Sequence, residues 1–252
     1  MTNHNGWLET LALLERQEQL LRAKFGDVSL VLSHVLFLKL VFVVQAVVLG
    51  EENAAEHLFP ILHEYAIFHQ GHLTVLGGEE SSHHPELNYT SETYAFPSEI
   101  YKRDYLEAGQ KYRHKIQSSI SFSQNTSLLF YKTIYVVGQG EELRWYPEPQ
   151  ATEAILLGRQ NTTMYPVHPM LAEDFNLSVA LAGEMSFFWL DGQDLPAVVF
   201  VNNTSGHYLP IHWTAKQVAL YMRRVLALNN SVSIISKGND GIAISGSIVD
   251  KS

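Results

Sequence analysis

Ser205, Gly206, His207 and Tyr208 follow an apolar run, AVVFV, that ends at Val201. Histidine exchanges a proton near neutral pH, and a phenol both donates and accepts hydrogen bonds. Strand ends on rigid scaffolds commonly present chemistry. Asn203 and Ser205 are placed to orient a ligand or the imidazole, and Gly206 permits a turn that other residues resist. Glu184 follows Gly183 at the start of a second apolar run, where a carboxylate needs a reason. Either it points outward by strand alternation, or it faces a cleft shared with His207. His168 is a second acid–base group if the fold brings it close. The expected site is therefore His207, Tyr208, Glu184 and His168 as catalytic groups, with Asn203, Ser205 and Gly206 binding the ligand. The competing reading is a structural corner, in which Gly206 turns, His207 and Tyr208 bond backbone groups, and Pro210 starts a helix.

The stretch NTSGHYLP (203–210) resembles a family marked by Ser-Gly-His-Tyr-x-Pro, found in bacterial effector and toxin-like domains and in plant IQ-motif calmodulin-binding proteins. Upstream pieces fit the same pattern: His168 in PVHPML, Ala182-Gly183-Glu184, and Asp191-Gly192. The resemblance covers about residues 165–235. It departs from the family where a basic residue often stands between Tyr and Pro (here Leu209), and where His-Ser-Ser often surrounds the upstream histidine (here His168-Pro169-Met170). No basic IQ-type helix is present, so calmodulin binding is not implied. The resemblance implies a small-molecule or nucleotide site and recruits His168, without naming a reaction.

Other chemistries find less support. Twelve histidines without a cysteine raise a histidine-ligated metal site at His63, His69 and His72, with His83 and His84 nearby. The helical zinc motif needs two histidines at i, i+4 with a glutamate between them, and this segment lacks it. No metal is favoured. Thiol catalysis, disulfides and cysteine-ligated metals are excluded. No phosphate loop, dinucleotide-binding glycine pattern or Gly-x-Ser-x-Gly elbow is present. The carboxylate pairs Glu79-Glu80, Glu141-Glu142 and Glu173-Asp174 lie in polar, turn-like contexts and read as solvated.

The 252 residues carry a net charge of −9, with 46% hydrophobic and 17% charged residues. An acidic chain without a basic stripe argues against nucleic-acid binding. The expected partner is a small-molecule substrate, with a nucleotide among the candidates. Residues 28–49 form an apolar run long enough to span a bilayer. His34 and Lys39 interrupt it, and a central lysine costs about 3 kcal/mol on insertion. A buried core helix is expected, and a membrane segment or oligomer interface is the alternative. The start of the sequence carries no signal-peptide pattern, and cysteine is absent. Both favour the cytoplasm, with delivery into another cell left open.

These residues need elements to position them. Helical periodicity predicts helices over 7–25, 28–49 (capped by Asp27), 54–68 and 98–118 (capped by Ser98). Residues 77–85 read as a loop. Strands are expected at 127–137, 143–146, 154–157, 185–190, 197–201, 232–235 and 242–248, with a turn at Asp191-Gly192 and a helix over 214–228. The predicted fold is α+β in one domain, residues 1–252: a helical layer (1–120) packed on a mainly antiparallel β-sheet (121–252). The expected function is an enzyme acting on a small polar or nucleotide-like ligand by His/Tyr acid–base chemistry, at the end of the 185–201 hairpin. The alternatives are a non-catalytic interaction or scaffold protein, using the apolar 28–49 segment against a partner or a second copy (a homo-oligomer), and a histidine-ligated metal enzyme.

Overall fold

The computed structural model describes residues 6–27, 29–77, 94–95, 99–118, 129–146, 168–190 and 193–249. Three helices open the chain: α1 (Gly6–Phe25), α2 (Leu30–Leu49) and α3 (Ala54–Phe68). They are followed by β1 (His72–Leu76), β2 (Tyr94–Ala95), α4 (Glu99–Tyr112), β3 (Leu129–Val137), β4 (Leu143–Trp145) and the short α5 (His168–Leu171). Then come β5 (Ser178–Val179), β6 (Leu181–Trp189), β7 (Val198–Asn202), α6 (Ala215–Val225), β8 (Ser233–Gly238) and β9 (Gly241–Ser245).

Seven strands form one mixed sheet in the order β1-β9-β8-β7-β6-β3-β4. β1 runs parallel to β9 and β7 parallel to β8; the other four neighbours are antiparallel. The architecture is the expected α+β. Sequence periodicity did not reveal β1, which lies within the helical half yet forms a sheet edge. β2 and β5 pair separately. The expected strand at 154–157, the Ser98 cap, the turn at 191–192 and residues 78–85 of the expected loop lie outside the described residues.

Strand alternation sorts the sheet residues onto two faces. Phe188, Phe200, Ile235, Ile242 and Ile244 pack beneath Leu32, Leu36 and Leu40 of α2 and Leu58 and Leu62 of α3. On the opposite face Met185, Phe187, Val199, Val201 and Ile234 pack against Val218, Tyr221 and Met222 of α6. A third apolar cluster joins Ile134, Val136 and Ala182 to Leu171, Ala172, Tyr146 and Tyr208. The first-face helices thus cover the β1 side, and α5 with α4 covers the β3 side.

Helix α2 is the one described helix long and apolar enough to cross a membrane, and 56% of its apolar window is buried in the fold. Ser29, not Asp27, caps it, accepting from Leu32 N at 3.2 Å. Asp27 instead pairs with Arg22. Lys39 is buried and satisfied from both neighbouring helices: Nζ donates to Glu18 Oε2 at 2.6 Å and to Glu64 Oε2 at 2.9 Å. Arg22 Nε joins from α1 at 2.7 Å to Glu18. Lys39, which interrupts the apolar run, therefore helps to lock α1, α2 and α3 together.

Candidate functional site

Three adjacent strands change character along the face that the helices cover. On β6, Phe188 gives way to Ser186 and then Glu184; on β7, Phe200 gives way to Asn202; on β8, Ile235 gives way to Lys237. Their registers align these changes. Met185 stands opposite Val201, so the next position sets Glu184 against Asn202, and Asn202 is paired with Lys237. A row Glu184–Asn202–Lys237 therefore crosses the middle of the sheet. Asn202 bridges it: its Oδ1 accepts from Glu184 N and Thr204 N, both at 2.9 Å, and its Nδ2 donates to Glu184 Oε2 at 3.2 Å. Gly183 allows this close approach, because a Cβ there would lie 1.8 Å from Asn202 O.

Above the row lies a cavity of about 350 Å³, floored by Glu184, Ser186, Asn202 and Lys237. That volume falls in the range of small-ligand sites, about 300–1,000 Å³. Its roof comes from one face of α2 (Ser33, His34, Phe37, Leu40) and from Tyr65 and His69 at i, i+4 near the end of α3. A neighbouring hollow of about 920 Å³, lined by Arg22, His63, Glu64 and Phe68, shares Ser33 and His69 with it. These two residues stand where the hollows adjoin. The His69 ring lies edge-on to Tyr65, centroids 4.6 Å apart, and its buried Nε2 meets no hydrogen-bonding atom. Burial, with help from Lys237, pulls its pKa down to about 4, so the ring is neutral near pH 7. Burial also lowers the Lys237 ammonium, partly offset by Glu184. The Tyr65 phenol is raised by burial and by Glu184.

The remaining expected site residues do not line this cavity. His168 opens α5 and is buried. Its Nε2 lies 3.0 Å from Gly183 O, and a carbonyl only accepts, so Nε2 carries the proton and Nδ1 is the basic nitrogen of the neutral ring. Burial lowers the His168 pKa to about 4; His207 pushes the same way, while Gly183 O and Glu184 oppose it. The His168 and His207 rings stand 6.4 Å apart, and Tyr105 of α4 packs edge-on to His207 at 5.9 Å. Burial lowers the His207 pKa as well. Tyr208 is buried in the third apolar cluster, which raises its phenol pKa.

Asn203 and Ser205 act within their own loop. Asn203 Nδ2 donates to Pro210 O at 2.9 Å and Trp213 O at 3.3 Å, and Ser205 Oγ accepts from Tyr208 N at 3.3 Å. Gly206 lies in a turn, exposed and uncrowded, and the left-handed residue of this loop is Leu209 (φ 46°). The helix after the motif starts at Ala215, set by a Thr214–Gln217 capping box rather than by Pro210.

The structure thus brings Glu184, His168 and His207 into one neighbourhood and adds Asn202, Lys237, Tyr65 and His69, which the sequence did not mark as one site. Of the histidines considered for a metal, His63 and His69 line the larger hollow, and His72 lies out on β1, 3.9 Å from Asp240. Among the described residues no three His, Asp or Glu side chains converge as a metal site. No protein-family model, curated protein or solved structure matches the chain.

Proposed function

We propose that the chain is an enzyme acting on a small polar or nucleotide-like ligand, bound in the cavity at the end of the β6–β7 hairpin. The observation that carries this reading is the Glu184–Asn202–Lys237 row. Ionisable groups on a sheet face that is otherwise a packed core cost stability, and here they surround a ligand-sized space. Glu184 is the acid–base group best placed to act. Asn202 fixes its carboxylate, the cavity lies on one side of it, and the neutral His168–His207 pair lies on the other. His207, half-buried beside Tyr105, is the group that would pass protons outward, and His168 orients the neighbourhood through Gly183 O.

The test is a thermal-shift and turnover screen with nucleoside phosphates and small sugars, run on wild type, Glu184→Gln and His207→Ala. A compound should raise the wild-type melting temperature. Glu184→Gln should lose turnover by about 100-fold or more, the usual size of an acid–base contribution. Folded variants that turn over as wild type would sink the catalytic roles.

A second reading, a non-catalytic interaction protein, is favoured by exposed apolar side chains on the first two helices: Leu13, Leu20 and Phe25 of α1, and Val31 of α2. Sedimentation across a concentration series separates the two, since a strict monomer counts against self-association through this surface.

A further inference from the structure

Lys237 is half-buried in the cavity wall, and among the described residues its Nζ meets no hydrogen-bond partner and no carboxylate at ion-pair distance. The buried Lys39 shows how this fold treats such a group when it is structural, giving it two carboxylates. Lys237 has a carboxylate nearby in Glu184, but Asn202 stands between them in the row and holds Glu184 Oε2. Beside it, His69 presents a buried Nε2 that meets no partner. A cation and a buried ring nitrogen from different elements therefore border one ligand-sized space, and the ring nitrogen is costly to leave without a hydrogen bond.

We propose that Lys237 is the anion-binding residue of this cavity, holding a carboxylate or phosphate group of the ligand, while His69 Nε2 makes a hydrogen bond to the same ligand. Lysine suits this role as a compact point charge with three donors. Burial lowers its pKa, and an incoming anion favours the ammonium again. Glu184 then faces the part of the ligand away from the anion. The charge order along the row selects a ligand that is anionic at one end only, because a second negative group would meet Glu184. This inference rests on the reading of the cavity as the ligand site.

Acylation of lysines in the native wild-type protein by N-hydroxysuccinimidyl acetate, read by peptide mass spectrometry, tests it directly. The arms are inorganic phosphate, acetate and chloride at matched ionic strength. One of the first two should slow modification of Lys237 by about tenfold at a concentration tenfold above half-saturation. The exposed Lys24 should be unaffected. Phosphate and acetate separate the two anion types. Lys237→Met, which removes a half-buried ammonium while keeping an unbranched side chain, should lose the anion-dependent rise in melting temperature. Equal labelling of Lys237 in all three arms overturns the proposal, as does a Lys237→Met protein that keeps the rise. If a compound from the functional screen loses its effect in Glu184→Gln but keeps it in Lys237→Met, the cavity remains the site and only the role of Lys237 falls.

Discussion

At the scale of single residues, the protonation of His168 follows from one contact. Its Nε2–H is committed to Gly183 O in a buried setting, so a proton on Nδ1 would create a desolvated cation. The folded pKa of about 4 lies below the ordinary 6.5. Below pH 6.5 the unfolded chain binds a proton that the folded one refuses. Stability is therefore full above about pH 6.5, falls as pH drops, and levels off below about pH 4. The His168 share is on the order of 3 kcal/mol. Denaturant unfolding at pH 7 and pH 4.5 should show this loss. His168→Gln, which retains an N–H for Gly183 O, should flatten it in part, leaving the slopes from His69, whose pKa is also about 4, and from His207.

Residues also differed in how readable they were. Glu184 stood out because a carboxylate heads an apolar strand. Lys237 did not, because a lysine near a strand end reads as a solvent-facing group; only the neighbouring β7 and the helices above reveal its cavity. Tyr65 on an apolar helix reads as core, and one end of it does pack as core, while the sequence marks His69 only as a candidate metal ligand. The polar cluster at 202–208 was visible, but its side chains divide in space. Asn202 faces the cavity, Asn203 and Ser205 brace their loop, and Tyr208 sits in an apolar cluster. Nothing in the order of the residues distinguishes these fates.

At the scale of elements, α1–α3 stay together through an ion network as well as an apolar face. Lys39, Glu18, Arg22 and Glu64 tie three helices at one place, and Lys39 is 4% and Glu18 6% exposed. Removing one member of a buried network strands the others. Lys39→Met is expected to destabilise by about 3 kcal/mol in urea unfolding. Glu18→Leu combined with Lys39→Met should recover most of that loss, since Arg22 keeps Glu64 and Asp27 as partners. Because α2 and α3 roof the cavity, the single variant should also weaken ligand binding, and the double variant should restore it.

The helices were legible because their period is local and strong. β6 and β7 were legible because aromatic and β-branched residues sit densely between turn signals. β1 was not. Its five residues, HLTVL, carry little strand signal of their own, and their conformation comes from β9, far away in sequence.

At the scale of the whole molecule, that β1–β9 pair joins the helical layer to the last strand of the sheet. The junction is tight. Gly241 has φ 134°, and a Cβ on it would lie 2.1 Å from His72 O; a Cβ on Gly71 would lie 2.3 Å from Gly241 Cα. Gly241→Ala should loosen this edge first. Hydrogen exchange should accelerate in 72–76 and at the end of α3 while β6 and β7, in the middle of the sheet, remain protected. Uniform acceleration across all strands would show instead that the sheet opens as one unit.

The same pairing has a consequence for synthesis. His72 cannot find Gly241 until the ribosome has made about 170 further residues and released them from its tunnel. Strand β8, which carries Lys237, emerges just before β9. The helical roof of the cavity therefore waits, with the apolar underside of α2 uncovered, for most of the time the chain takes to be made. Long-range closure of this kind is slow, and exposed apolar surface invites association. A nascent chain of this design should need chaperone cover over α2 until its last strands arrive.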